Sequence, residues 1–284
     1  MTASAPRTIS ADGIDICTQS FGSADDPGIL LINGASASML WWDEALCERL
    51  AAGGYHVIRF DNRDTGRSTS YPVGAPPYTL ADMAADSVAV LDAYGINSAH
   101  VMGRSMGGMI SQHIALNHPQ RVQTMTLIFS SPEGGSATGG SSELPGPTPE
   151  LIAATTAQGD GDPVENRVAL HRVLAGSRYE FDADKARALT VSEMERASSY
   201  ASNANHTFVI RDTPPWRDRL ATIKVPTLVV HGTEDPILPF AHGQALVSDI
   251  AGAKLFVMEG VGHALPVGEW DRLVEALFDH IRNH

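Results

Sequence analysis

The sequence predicts an α/β fold in which a mostly parallel central sheet is flanked by helices. Short apolar runs alternate with segments of helical periodicity along most of the chain. Strands joined through helices run parallel and are buried on both faces, which explains why these runs are continuously apolar. The alternation stops after Ser130 and resumes at Pro226, so a long segment interrupts a single sheet.

The first half of the chain contains most of the predicted strands. Residues 8–21 alternate in polarity around Asp12-Gly13, a dipeptide typical of hairpin turns, and we expect two antiparallel strands there. The apolar runs that predict parallel strands are 28–33, 56–60, 99–103 and 123–130. The segments with helical spacing between them are 40–53, 80–94 and 106–116.

The second half begins with a predicted helical insertion. Residues 132–149 are rich in Gly, Ser and Pro and are expected to form a loop. The helices predicted after this loop are 150–157, 163–174 and 183–201. The sheet pattern then resumes, with strands at 226–232 and 254–259 and helices at 240–250 and 270–282.

These elements divide the chain into two predicted parts. Residues 1–131 and 222–284 form an α/β core, and residues 132–221 form a helical cap inserted into it. Ligands of such sheets bind beyond the carboxyl ends of the parallel strands. An insertion at this point is therefore expected to cover a binding site.

Composition excludes several kinds of partner. The chain of 284 residues has a formal net charge of −13, from 33 acidic and 20 basic residues. Nucleic acids and anionic membranes are bound through clustered Lys and Arg, and the sequence has no such cluster. Its apolar runs are too short to span a bilayer, and residues 1–10 lack the apolar stretch of a secretory signal. We expect a cytoplasmic protein with a small-molecule substrate.

The cysteines do not indicate a metal site or a disulfide framework. Cys17 and Cys47 are isolated and have no ligand spacing. We interpret both as reduced, partly buried small apolar side chains. The chemistry described next needs no metal and no organic cofactor.

The predicted nucleophile is Ser105. Gly103-Arg104-Ser105-Met106-Gly107 matches the pattern G-x-S-x-G, directly after a predicted strand and at the start of a predicted helix. In that setting the serine occupies a strained turn, and the helix N-terminus beside it favours developing negative charge. The pattern alone is equally consistent with a serine that caps the helix in an ordinary loop. Two later segments favour the nucleophile.

Those segments supply a base and an acid. A serine hydroxyl needs a positioned base, and the base needs an orienting acid. Asp235 and His263 each follow a late predicted strand, so both are expected at the sheet edge to which Ser105 points. Glu234 and Glu133 are the alternative acids, and Asp235 is favoured because an Asp-Pro turn fixes its carboxylate.

Other titratable residues are interpreted as structural. Asp61 and Asp64 are expected to hold the loop DNRDTGRS, with Arg63 and Arg67 as their partners. Four histidines lie on predicted helices or strand ends without a comparable motif. They are His113, His118, His231 and His242.

The tetrahedral intermediate of acyl transfer requires backbone N–H donors for its oxyanion. One donor is expected from the residue after the nucleophile, Met106, and the other from the loop after an early strand, at Ala35. Trp41 and Trp42 follow that loop, and they either line the site or pack beneath the cap.

These motifs carry a family resemblance. The whole chain resembles serine esterases of the α/β-hydrolase fold, and among them it is similar to anthracycline methyl esterases of the aclacinomycin methylesterase type. The segments that carry the resemblance are HVIRFDNRDTGRST, AHVMGRSMGGMISQHIALNHPQRV, VPTLVVHGTEDPI and GVGHALP. The resemblance implies a triad of Ser105, Asp235 and His263, and oxyanion donors at Ala35 and Met106.

The predicted reaction is hydrolysis of a carboxylic ester through an acyl-enzyme. The resemblance implies a methyl ester of a polyketide-type small molecule. The same triad also supports cleavage of C–C bonds, lactones or thioesters, or cofactor-free perhydrolysis. A ligand-binding protein without catalysis is the alternative from a different class, and an intact triad argues against it.

Overall fold

The computed structural model describes residues 3–134, 144–156 and 161–284. Its described strands form one sheet in the order β1-β2-β4-β3-β5-β6-β7-β8. The strands are Arg7–Ala11 (β1), Ile14–Phe21 (β2), Gly28–Ile32 (β3), His56–Phe60 (β4), Ala99–Arg104 (β5), Val122–Ile128 (β6), Thr227–Gly232 (β7) and Lys254–Met258 (β8). Each agrees with a predicted strand to within one or two residues.

The sheet is antiparallel at one edge and parallel elsewhere, as predicted. β1 and β2 form the expected hairpin, with Asp12 and Gly13 at φ values of 49° and 80°. Positive φ at both positions matches the twist of a tight hairpin. β2 then pairs antiparallel with β4, and the ladders from β4 through β3 to β8 are parallel.

The strand order places a crevice between β3 and β5. The chain passes from β3 to β4 on one side, and β5 then joins the other side of β3. At such a reversal the loops beyond the carboxyl ends of the two strands diverge and leave room for a ligand. Here those loops begin at Asn33 and at Ser105.

Helices cover both faces of this sheet. Those of the α/β part are Glu44–Ala52 (α1), Leu80–Ala93 (α2), Met106–Asn117 (α3), Ala241–Asp249 (α8) and Trp270–Arg282 (α9). The prediction of one helix over 40–53 was wrong at its start. A short 3-10 turn ends at Trp41, and α1 begins only after Asp43, whose carboxylate accepts the Ala45 N–H and caps it.

Between β6 and β7 lies a part of the chain that we call the helical segment, residues 132–221. Its described helices are Pro149–Thr156 (α4), Pro163–Leu174 (α5), Ala183–Arg196 (α6) and Asn205–Asp212 (α7). The expected loop at 132–149 and the end of the helix expected at 150–157 lie partly outside the described residues.

One further expectation for the helical segment was wrong, and one helix was missed. The helix expected over 183–201 ends at Arg196, because the Ser198 N–H donates to the Gly66 carbonyl and turns the chain toward the core. α7 was not predicted, because NHTFVIRD is only eight residues long and its apolar residues Phe208, Val209 and Ile210 are consecutive. It is held instead by tertiary contacts, among them the burial of His206 and Val209.

The core consists of two apolar clusters, one on each face of the sheet. α2 and α3 pack on one face, and α1 and α9 pack on the other. Cys17 and Cys47 are buried with free thiols, as interpreted from the sequence. Among the described helices, none is both long and apolar enough to cross a membrane.

Candidate active site

Ser105 occupies a sharp turn between β5 and α3. Its backbone lies at φ 55° and ψ −121°, a conformation that costs a non-glycine residue about 1–3 kcal/mol. Two hydrogen bonds fix the strained residue. Its N–H donates to the Ile128 carbonyl at 2.8 Å, and its own carbonyl accepts from Ser130 Oγ at 2.8 Å. Ser105 stands at the N-cap position of α3, but its side chain makes no capping hydrogen bond, which does not favour the alternative of a helix-capping serine.

The glycines of the motif allow this turn to lie close to its neighbours. A Cβ on Gly103 would come within 2.2 Å of the Gly107 carbonyl oxygen. A Cβ on Gly107 would come within 2.2 Å of the Ile32 carbonyl oxygen at the end of β3. Both positions therefore exclude any side chain, and α3 can start directly against the sheet.

Asp235 and His263 meet as the sequence predicted. His263 Nδ1 lies 2.7 Å from Asp235 Oδ2, and both side chains are buried. The other carboxylate oxygen accepts the N–H groups of Ile237 and Leu238, each at 2.9 Å. Burial by itself raises the pKa of Asp235. The charge and hydrogen bond of His263 outweigh it and hold the pKa below its ordinary value. An ionised Asp235 fixes the tautomer of His263, with the proton on Nδ1.

Ser105 and His263 line the same cavity, which has a volume of about 260 Å³. Within the described part of the chain, no direct hydrogen bond joins Ser105 Oγ to the His263 ring. Such bonds are often long in a free enzyme and shorten when a substrate is bound. The two side chains therefore share a space in which a substrate carbonyl would lie.

The two predicted oxyanion donors lie at the same cavity. Ala35 and Met106 both line it. Met106 is the first residue of α3, where backbone N–H groups lack an intrahelical partner. Gly34 brings the other loop against the nucleophile, because a Cβ there would lie 3.0 Å from Ser105 Cβ.

The helical segment holds this early loop in place. The Ser36 N–H donates to His206 Nδ1 at 2.9 Å, and Ser36 Oγ donates to the Asn203 carbonyl at 2.9 Å. Arg167 donates to the Ser36 carbonyl at 3.1 Å. The N–H and Oγ of Ser38 both donate to Glu193 Oε1, at 2.8 Å and 2.7 Å.

Sequence reasoning missed these contacts. Ser36 has a φ of 56°, so the loop needs such support to keep a backbone conformation that is unfavourable for a serine. The contacting side chains lie more than a hundred positions further along the chain, and no local motif marks them.

The carboxylates of the DNRDTGRS loop have structural roles as expected, but their side-chain ion pair is not with Arg63 or Arg67. Asp61 forms a two-pronged ion pair with Arg196 of α6, at 2.6 Å and 3.0 Å. Arg63 pairs with Asp86 on α2, at 2.5 Å and 2.7 Å. The side chain of Arg67 is not used in this way, because only its N–H donates to Asp61.

The two alternative acids have partners elsewhere, and so does His242, whose ring nitrogens lie 3.0 Å from Ser131 Oγ and 2.9 Å from the Pro145 carbonyl. Glu234 accepts from the N–H and Oγ of Ser177, and Glu133 lies 3.4 Å from Arg217. His231 is the exception, because its Nε2 lies 3.5 Å from Asp235 Oδ2 as well as 2.7 Å from the Leu238 carbonyl. Asp235 therefore lies between two histidines, a contact that the position of His231 at a strand end did not suggest.

A second, larger cavity of about 480 Å³ lies beside the first. The side chains that line both are Trp41, Arg104, His171 and Leu174. Trp41 thus lines the site, whereas Trp42 is buried in the core below it. Leu174 ends α5, and its carbonyl accepts the His263 N–H at 2.8 Å, which ties the helical segment to the base.

The sequence and the fold of this chain are similar to those of known proteins. The model of the α/β hydrolase fold family matches residues 27–268. Rhodomycin D methylesterases of Streptomyces sp. (strain C5) and of Streptomyces peucetius are each 32% identical to this chain, over 97% of it and 98% of theirs. A solved hydrolase from Pseudomonas aeruginosa PA01 is 26% identical, with a TM-score of 0.76 over 97% of this chain and 98% of that one. These likenesses extend through the helical segment as well as the sheet.

Proposed function

This chain belongs to the α/β hydrolase fold family and is a carboxylic ester hydrolase, and on that premise we propose that it acts through an acyl-enzyme formed on Ser105. One observation carries the proposal. Ser105 and His263 line one cavity, and His263 Nδ1 is hydrogen-bonded to Asp235 Oδ2 at 2.7 Å. This arrangement supplies a nucleophile, a base and an orienting acid.

In the first half of the reaction, Ser105 Oγ attacks the ester carbonyl carbon while His263 Nε2 takes the hydroxyl proton. His263 becomes an imidazolium whose Nδ1–H remains on Asp235. Because the pKa of Asp235 is below its ordinary value, the carboxylate stays ionised and stabilises that cation. The imidazolium then protonates the leaving alcohol, and the acyl group remains on Ser105.

The negative charge of the tetrahedral intermediate falls on the former carbonyl oxygen. We assign the N–H groups of Ala35 and Met106 as its donors, since both residues line the cavity beside Ser105. A single donor of this kind is worth about 3–4 kcal/mol of transition-state stabilisation. In the second half of the reaction, His263 activates a water that attacks the acyl-enzyme and releases the acid.

The helical segment acts in this proposal as a cap over the site. Arg167, Leu170 and His171 of α5, and Thr207 and Ile210 of α7, line the cavity that holds Ser105. A cover of this kind excludes water and strengthens the electrostatic interactions beneath it. We assign residues 132–221 to this cap and the remainder to the α/β core.

We further propose that the substrate is a methyl ester of a polyketide-type small molecule. The relatives named above are methylesterases that act on rhodomycin D. The larger cavity has room for a bulky body next to the ester, and its walls include Leu46, Phe181, Leu189 and Leu265. Large apolar surfaces of this kind suit ring systems more than short acyl chains.

A fluorophosphonate probe and a p-nitrophenyl ester test the nucleophile together. We expect Ser105→Ala to lose labelling and to lower kcat by about 10⁵-fold or more, as in other triads. Asp235→Asn should lower kcat by about 10⁴-fold, because the wrong tautomer of His263 is then favoured. Ser23→Ala is the matched control, since Ser23 is exposed and lines neither cavity. Turnover by Ser105→Ala at the wild-type rate, or labelling of another residue, would contradict the assignment.

A further inference from the structure

Arg104 is the one charged side chain at the junction of the two cavities whose position the triad chemistry does not explain. It directly precedes Ser105, lines both cavities and is only 7% exposed. Burial lowers the pKa of Arg104 to about 10, opposed by the charges of Asp235 and Glu193. The guanidinium is therefore still protonated at neutral pH, so a buried positive charge lies inside the proposed substrate site.

The contacts of Arg104 leave most of its hydrogen-bonding capacity unused. One nitrogen, Nη2, donates to the His263 carbonyl at 2.8 Å, and the guanidinium lies over the Trp41 ring at 5.0 Å. Within the described part of the chain, no carboxylate lies within ion-pair distance of it. The oxygens of Asp235 are already bound by His263, Ile237 and Leu238.

Two neighbours of Arg104 also have unused polar atoms. Trp41 Nε1 and His171 Nε2 are buried without a hydrogen-bond partner among the described residues. The two rings touch edge to face, with centroids 4.6 Å apart. Burial lowers the pKa of His171 to about 3, so this residue adds no charge to that of Arg104. The junction is a polar spot with one positive charge between otherwise mostly apolar walls.

A buried charge without a partner is costly, and proteins normally pair it. The planar fork of an arginine matches two oxygens of one anionic group, and such charge-assisted bonds are about twice as strong as neutral ones. We propose that Arg104 is the anchor for a carboxylate group on the body of the ester substrate. This specificity role rests on the proposed function: the ester lies at Ser105 in the smaller cavity, and the body extends past Arg104 into the larger one.

The charged rim of the larger cavity does not supply the same anchor. Lys185 is half exposed there and is already paired with Asp43 at 2.8 Å. Glu180 and Asp182 add negative charge to the rim. Exposed charges of this kind are screened by salt, whereas a buried contact is screened much less. A preference for an anionic substrate that arises at Arg104 should therefore persist at high ionic strength.

Two methyl benzoates that differ only in charge test the role of Arg104 as an anchor, at 0.3 M salt. The anionic probe is monomethyl terephthalate, and the neutral probe of the same shape is methyl 4-carbamoylbenzoate; the meta isomers of both are run alongside. The measured quantity is the ratio of kcat/KM for the anionic ester to that for the neutral ester. We expect Arg104→Gln to lower this ratio by about tenfold to a hundredfold, and Arg104→Lys to lower it less. Because Arg104 also contacts the His263 backbone, absolute rates will fall, and the ratio removes that shared effect.

Lys185→Gln is the control for long-range attraction, and its ratio should equal that of the wild type. Should Arg104→Gln not fold, the wild-type enzyme still gives an answer. Free terephthalate should slow fluorophosphonate labelling of Ser105 at concentrations where terephthalamide does not. Equal ratios in wild type and Arg104→Gln, an equal fall in Lys185→Gln, or equal protection by acid and amide would overturn the anchor while ester hydrolysis stands. Absence of both labelling and turnover would instead refute the proposed function itself.

Discussion

At the scale of single residues, the buried histidines differ according to whether their ring nitrogens are bonded. His263 and His206 have partners that fix their tautomers. His113 on α3 is 5% exposed and packs against Trp216 with ring centroids 4.8 Å apart. Neither nitrogen of His113 has a partner among the described residues. Burial therefore lowers the pKa of His113 to about 4, with a smaller effect from Arg219.

This makes His113 a source of acid instability. Its pKa in the unfolded chain is about 6.5. Between that value and about 4 the unfolded chain binds more protons, so the free energy of unfolding falls as the pH is lowered through this range. We expect His113→Leu to be more stable than wild type at pH 4 by about 3 kcal/mol, and close to it at pH 7. Urea unfolding at both pH values measures this.

The matched control is His284→Gln at the exposed carboxyl end, which should follow the wild-type pH dependence. A pH dependence of unfolding in His113→Leu that is as steep as in wild type would show that the buried imidazole is not responsible.

At the scale of elements, the loop after β3 and α7 form one unit through His206. Nδ1 of this histidine accepts the Ser36 N–H, so Nε2 carries the proton and donates to the Arg63 carbonyl at 2.7 Å. Burial lowers the pKa of His206, which keeps the ring neutral and both bonds intact. The proposed oxyanion donor Ala35 directly precedes Ser36, so α7 bears directly on the geometry of that donor.

Two substitutions separate the two bonds of His206. In His206→Asn the side-chain oxygen can replace Nδ1 as acceptor for Ser36, and in His206→Gln the amide nitrogen can replace Nε2 as donor to Arg63. We expect kcat for a p-nitrophenyl ester to fall by about tenfold in the Gln variant and to fall less in the Asn variant. A tenfold fall is smaller than the fall in kcat of about 10²–10³ that follows complete loss of one oxyanion donor. KM should change little in either, since the loop acts on the transition state.

If His206 were only a packing residue, the two variants would lose activity equally and their melting temperatures would account for it. A larger kcat for the Gln variant than for the Asn variant would show that activity depends on the hydrogen bond to the Arg63 carbonyl and not on the one from Ser36.

The sequence predicts elements well where a local signal determines them. The strand, turn and helix around Ser105 follow from the glycines and the apolar run before them, and α5 and α9 have their predicted bounds. The residues of the proposed triad were found for the same reason, because each lies in the loop after a strand with a local signal. The end of α6, the existence of α7 and the support of Ser36 depend on contacts between distant parts of the chain, and no local pattern encodes them.

At the scale of the whole molecule, the helical segment is fastened to the α/β part through buried charges. Arg196 at the end of α6 reaches Asp61 after β4, and the Asp61 side chain is fully buried while that of Arg196 is 11% exposed. The same carboxylate accepts the N–H groups of Met39 and Arg67. One ion pair thus joins α6 to two loops near the site, including the one that leads from Ser38 into Trp41.

Removing Arg196 should therefore affect both stability and activity. Arg196→Met leaves Asp61 buried without its cation, and we expect a loss of about 3–5 kcal/mol in the free energy of unfolding. Asp61→Asn in the same chain removes the stranded charge, so the double variant should recover part of that loss. Arg187→Met is the matched control, because Arg187 is also on α6 but pairs with Glu165 at the exposed surface. Such surface pairs contribute only about 0–1 kcal/mol.

Urea unfolding and ester turnover of the wild type, the two single variants and the double variant measure both effects. A double variant less stable than Arg196→Met alone would show that Asp61 is held mainly by its backbone donors, and that the helical segment is attached by other contacts.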